Sequence, residues 1–244
     1  RRIAIAQTRA KLLGQPLPLQ LYDYTPVYGT TTLALSGNWR NRSGFFTFVT
    51  VGGNLNYKWY TNPRKRHELN LFNLEYNSVI RTTAAFDSIT RANPALYISM
   101  RDQLVPSISY IFTSPSPAAD RHPYWVQFLL KEAGNVTSGL YALTGRSFSE
   151  TGKHLLRSPF SQFVKATAEG HFTRVFSPRL SLAMRAFAGV VYAYGNSTQA
   201  PYGEQFFVGG ANSVRGFAVR TIGPGGYHTQ RTKYSYIDQT GDVK

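Results

Sequence analysis

The chain contains no cysteine, which excludes disulfides, zinc–thiolate sites and thiol catalysis. Charge is also scarce. Asp, Glu, Lys and Arg together make up 16% of 244 residues, where a typical soluble domain carries about a quarter, so something other than water is expected to cover part of the surface. No uninterrupted apolar run approaches the roughly 20 residues of a membrane-spanning helix, because Lys, Arg, Asn or Gly breaks every candidate. Any membrane crossing must be made by strands. The first residues open on Arg1 and Arg2 but offer no continuous apolar core and no small-residue cleavage site. They do not read as a signal peptide, and the chain is expected to begin after one or within a longer protein.

Catalytic and metal-binding patterns are missing as well. His67, His122, His154, His171 and His228 lie far apart with no HExxH or i, i+4 pair, which argues against a zinc site. No Gly-x-Ser-x-Gly elbow, Walker loop or strand-linked Gly-x-Gly-x-x-Gly unit occurs; Ser213 has the wrong spacing from Gly210 and Gly216 for a nucleophile elbow. Glu169 and His171 fall on one strand face but lack a nucleophile, so they read as a polar pair. Asn-x-Ser/Thr triplets at Asn135 and Asn196 are of a kind that chance supplies often. The expectation is a non-enzyme with no cofactor and no metal. A net charge of +15 raises nucleic-acid binding, but the only dense basic run is Arg64, Lys65, Arg66 and His67, in a turn-like segment after Pro63. A scattered excess suits anionic lipid head groups or a polar lumen better than a phosphate-tracking stripe, so no nucleic-acid partner is expected.

Aromatic residues, by contrast, reach 14%, as in strand-rich proteins or those with aromatic membrane girdles. A hydrophobic period of two dominates the chain. Val164, Ala166, Ala168, Gly170 and Phe172 alternate with Lys165, Thr167, Glu169, His171 and Thr173. After Ser177, Pro178 and Arg179 the pattern resumes, with Leu182, Met184, Ala186, Ala188 and Val190 on one face and Arg185 on the other. Similar alternation runs through Leu33–Trp39, Val49–Trp59, Phe72–Tyr76, Pro106–Phe112 and Tyr124–Lys131. Seven strands of about ten residues result, the length a tilted strand needs to cross a bilayer. A soluble β-sandwich gives the same alternation, and connection length separates the two. The connections fall near 40–45, 60–67, 80–102, 113–122, 135–161, 177–179 and 195–232. Apart from the first, every odd one is long and every even one short, as when strands shuttle between a long-looped outer side and a short-turned inner side. The fold class expected is all-β, an antiparallel transmembrane β-barrel over 29–244. Residues 1–28, interrupted by Pro16, Pro18 and Pro26, stay unassigned.

The segment from Pro201 to Gly226, with Phe206-Phe207-Val208-Gly209-Gly210 leading into Val214-Arg215-Gly216-Phe217 and then Thr221-Ile222-Gly223-Pro224-Gly225, resembles the signature loop of the outer-membrane assembly superfamily. That superfamily includes BamA, TamA and the two-partner-secretion transporters. Gly195-Asn196-Ser197, the Gly209–Arg215 run and the Arg220–Gly225 ending are most similar to the TamA-like lineage of Bacteroidetes. The resemblance is strong from about Phe160 to Lys244. It implies a sixteen-stranded barrel whose loop at 195–232 is extracellular and folds back into the lumen, with Arg215 pairing with acidic and aromatic groups of a late strand. A guanidinium in a confined lumen is expensive unless paired, so its partner is expected beyond Lys244, and loss of Arg215 is expected to loosen the loop. Gly209, Gly210 and Gly216 would permit close backbone approach, and Phe217 would pack on the inner wall. About half of the sixteen strands can be counted, so this chain should not close a barrel alone. The implied function is outer-membrane protein assembly or translocation in the bacterial outer membrane, with lipids, client outer-membrane or surface proteins, and periplasmic or inner-membrane assembly factors as partners. Alternatives are a two-partner-type secretion pore or the barrel of a patatin-like lipase.

Overall fold

A computed structural model describes residues 29–217, apart from 43–45, 93–96, 99, 118–119 and 212. The segment 1–28 and the later part of the 195–232 loop lie outside the described residues. Seven strands form one antiparallel sheet: β1 (Thr30–Arg42), β2 (Phe46–Tyr60), β3 (Arg66–Thr82), β4 (Gln103–Pro115), β5 (Tyr124–Ala133), β8 (Phe163–Ser177) and β9 (Leu180–Ala193), in that spatial order. The sheet is open, with β1 and β9 at its edges. The connections between β3 and β4 and between β5 and β8 carry the remaining elements. These are helix α1 (Ala84–Ala92), helix α2 (Asn135–Leu143) and a two-stranded hairpin, β6 (His154–Leu155) with β7 (Ser158–Pro159). All seven sequence-predicted strands are present, and the short connections alternate with long ones as expected. The helices in both long connections among the described residues are additions to the loops expected there.

Register separates two faces. Pairing Lys131 with Lys165, Gln127 with Glu169 and Trp125 with His171, then Glu169 with Phe187 and His171 with Arg185, places all of these on one side, here the inner face. Toward β2 the inner face carries polar ladders: Thr50 Oγ1 donates to Asn77 Oδ1 (2.8 Å), Asn56 Nδ2 to Asn70 Oδ1 (2.9 Å) and Asn70 Nδ2 to Ser109 Oγ (2.8 Å). The opposite face carries Phe128, Leu130, Leu182, Met184 and Val190, all exposed. No second layer covers that outer face among the described residues. A β-sandwich would bury it against another sheet, whereas lipid is the natural complement of an uncovered apolar face backed by a polar one. The predicted register of β9 therefore stands, with Met184 and Ala186 outward and Arg185 inward.

The alternation is interrupted at Ile80 and Phe176 as well as at Leu71 and Phe72. A bulge between Asn70 and Asn73 shifts the pairing of β3 with β4, and Leu71 and Phe72 are consecutive exposed residues there. The extra residue absorbs a run that strict alternation cannot place. At the short-turn end of the outer face the rings of Trp59 and His67 stack at 5.2 Å, and those of His67 and Phe112 lie 5.1 Å apart. His67 Nδ1 is 2.6 Å from Tyr110 Oη. The last residue of the basic run thus belongs to an aromatic band, the arrangement expected at a membrane interface.

The buried apolar residues lie toward the long-connection end. Val105, Ala133 and Phe163 form one cluster; Phe46, Phe48, Phe86 of α1 and Met100 form another, against which Tyr202 packs.

Candidate functional site

After β9 the chain turns back over the inner face, and three sets of contacts shape it, of which those at the root and stem reach other elements. The first is at its root. Asn196 is buried and uses its whole amide: Oδ1 accepts from Lys153 N (2.8 Å), while Nδ2 donates to the carbonyls of Lys153 (2.9 Å) and Phe160 (2.8 Å). Gln162 Oε1 accepts from Ser138 Oγ and from Asn196 N, and Gln162 N donates to Ser197 Oγ. Asn135 Oδ1 accepts from Tyr194 Oη (2.7 Å). The two Asn-x-Ser/Thr triplets therefore supply side chains to one hydrogen-bonded hub joining α2, the 144–162 connection and the start of the loop.

Lys153 is fully buried in this hub. Burial pulls its pKa below the ordinary lysine value, against the opposing charge of Glu150. Its Nζ donates to Ser138 Oγ (3.0 Å), to the Phe148 carbonyl (2.6 Å) and to the Ser147 carbonyl (3.4 Å). A serine beside a buried lysine invites a nucleophile-and-base reading, but here the Ser138 proton goes to Gln162 and the lysine donates to the serine. The pair is arranged to satisfy a buried charge.

The second set of contacts is at the stem. Glu204 places one carboxylate oxygen 2.5 Å from Lys131 Nζ and the other 3.1 Å from Lys165 Nζ, and its carbonyl accepts from Lys165 at 2.8 Å. All three side chains are at most 16% exposed. Burial alone would raise the Glu204 pKa, but the two ammonium groups outweigh it and hold the carboxyl below the ordinary glutamate value. Beside it the Phe206 ring lies 4.9 Å from Lys165 Nζ and edge-on to Phe187 at 5.9 Å. Gly189 makes room for it, since a Cβ at that position would come within 2.5 Å of Phe206 Cζ. Replacement of Gly189 by Val is therefore expected to displace Phe206 and cost about 1 to 3 kcal/mol as overpacking. Thermal unfolding of the variant measures this, and Phe206→Ala in the same chain should recover much of the loss. Between stem and wall lies a cleft of about 660 Å³, lined by Lys165, Thr167, Arg185, Phe187 and Phe207 among others.

The third set is the tip, which holds the motif singled out in the sequence. Gly209 and Gly210 have φ of 101° and 93°, a region open to glycine and strained for other residues. Gly210 N donates to the Phe217 carbonyl (2.9 Å) and Phe217 N to the Val214 carbonyl (3.1 Å), closing Gly210–Phe217 into a small turn. Arg215 is exposed, and its Nε donates to the Ala211 carbonyl at 3.2 Å. Val214 and Phe217 are 42% and 54% exposed, and a Cβ on Gly216 would meet nothing within 4 Å. The expected packing of Phe217 on the wall and close backbone approach at Gly216 are thus not features of the described residues. The acidic partner expected for Arg215 beyond Lys244 lies outside them.

Lower on the inner wall, Glu169 Oε1 is 2.8 Å from His171 Nε2 and 2.7 Å from Arg185 Nε. It is a polar cluster, as the strand pattern implied, with Arg185 as an added member. Sequence reasoning missed the Glu204 contacts and the Lys153 hub. A usable signal was Glu204 itself, one of only 12 acidic residues, inside the signature segment of a chain whose inner face carries two directly opposed lysines with no acidic residue at the adjacent same-face positions.

Compared with known proteins, the chain matches the family model of the Omp85 superfamily domain over residues 133–240. No curated protein and no solved structure matches it. The matched stretch begins where β5 ends and takes in α2, β8, β9, the buried hub, Glu204 and the Gly209–Phe217 turn, so the similarity to the Omp85 superfamily domain covers the part of the chain that folds back over the wall.

Proposed function

We propose that this chain is barrel wall and signature loop of an outer-membrane protein assembly or translocation factor, of the TamA-like kind, acting on client outer-membrane or surface proteins without catalysing a reaction. The observation that carries this reading is the position of the Omp85-matching loop: it lies across a polar inner face and is held to it at root and stem, while the opposite face is apolar. A wall of this kind suits a lipid exterior and a gated interior. Energy for insertion would come from client strand pairing, with periplasmic or inner-membrane factors delivering clients.

Depletion of the full-length protein in its own cell, followed by quantitative proteomics of the outer membrane, is the test. Broad loss of barrel proteins is the expected result. Loss of one secreted protein with the barrel proteins intact would point instead to a two-partner-type pore, and an unchanged outer membrane and secretome would overturn the reading.

A further inference from the structure

Lys131 and Lys165 stand directly opposite each other on neighbouring strands, on the inner face and nearly buried. Like charges in that position repel, so the pair needs a counter-charge. Glu204 supplies it with one oxygen to each lysine. The contact is held in depth: the Glu204 carbonyl takes a further Lys165 hydrogen bond, Phe206 covers Lys165, and on the far side of the loop Tyr202 packs on the Phe46 and Phe48 cluster of β2. Arg215, by contrast, bonds within its own turn.

We propose that the two lysines form a carboxylate socket whose occupant, Glu204, is the positioning residue that fixes the stem of the loop on the inner wall, separately from whatever Arg215 engages. The socket reads a carboxylate by two-point ion pairing, and because it is lined by two cations it stays closed only while one is bound. Arg215 then governs the tip, and Glu204 the stem. For the proposed assembly activity this makes Glu204 a determinant of whether the interior is covered, although loop position and activity are separately measurable.

The experiment uses the full-length protein in outer-membrane vesicles, with Thr167→Cys as the sole accessible cysteine and a polymer-linked maleimide too bulky for the cleft beneath the loop. With Glu204 in place, labelling is slow. Glu204→Gln should speed it by about tenfold or more, as loss of charge-assisted hydrogen bonds implies, whereas Arg215→Ala should leave it close to the parent rate. The triple exchange Lys131→Glu, Lys165→Glu, Glu204→Lys should return labelling toward the parent rate, which a merely space-filling role for Glu204 would not do. A zero-length carbodiimide cross-link read by mass spectrometry serves if the triple variant does not assemble, and should join Glu204 to Lys131 or Lys165 in the parent protein. Unchanged labelling in Glu204→Gln, no rescue in an assembled triple variant, or no such cross-link would each overturn the socket. Outer-membrane protein levels, measured in parallel, report on the assembly reading alone.

Discussion

Asn196→Ala should lower the unfolding free energy of the full-length protein by about 3 to 5 kcal/mol, because it leaves three buried backbone groups without partners and each costs roughly 1 to 3 kcal/mol. Those groups are the N–H and carbonyl of Lys153 and the carbonyl of Phe160. Asn196→Asp separates the parts of the effect, since a carboxylate can still accept from Lys153 N but cannot donate to either carbonyl. Denaturant unfolding of the refolded protein in detergent gives the free energies. Proteolysis between 144 and 162 should also rise in Asn196→Ala, because that connection is tied to the loop root through Lys153 and Gln162. A loss under 1 kcal/mol with unchanged proteolysis would mean that water replaces the amide and that the hub is not a structural joint.

Ala186→Arg should cost about 2 to 4 kcal/mol if residue 186 lies near the bilayer midplane, the penalty for a cation on the lipid face of a barrel. Ala186 pairs with Gly170 on the outer face of β9 and β8. Its neighbour Arg185 is a natural cation one residue away, turned inward onto Glu169, so the same charge is tolerated or penalised according to face. Gln127→Arg, inward on β5, serves as the control and should cost much less. Spin labels at 184, 185 and 186 provide an independent check: oxygen-accessible, water-accessible and oxygen-accessible in turn. The reverse pattern would mean a register shifted by one residue, which exchanges the faces of the whole strand.

The strands were legible because a half-covered sheet writes its two environments into alternate residues, and the Lys165–Thr173 stretch does so without interruption. Connection lengths added topology, since short turns and long connections alternate along the chain. The helices were not legible for local reasons. Helix α2 starts after Gly134, which sits at φ 74° with no side-chain cap, and contains Gly139; such a segment depends on docking, here through Ser138 and Asn135. The bulge at Leu71 and Phe72 was invisible because two adjacent apolar residues break the period without saying which strand absorbs them. The signature motif was legible as a pattern, yet its most conspicuous residue, Arg215, is not the one that grips the described wall. Glu204 does so by pairing with residues 73 and 39 positions earlier, a contact that exists only once β5 and β8 lie side by side.

The directly opposed lysines have a consequence for how the wall is assembled. If β5 slipped by one residue against β8, alternation would carry Lys131 to the outer face, and Glu204 could then reach only one of the two cations. The paired backbone would be almost unchanged, but a lysine would face the apolar exterior and the loop would lose half its grip. The grip of Glu204 on both lysines thus depends on the frame in which β5 and β8 are zipped together.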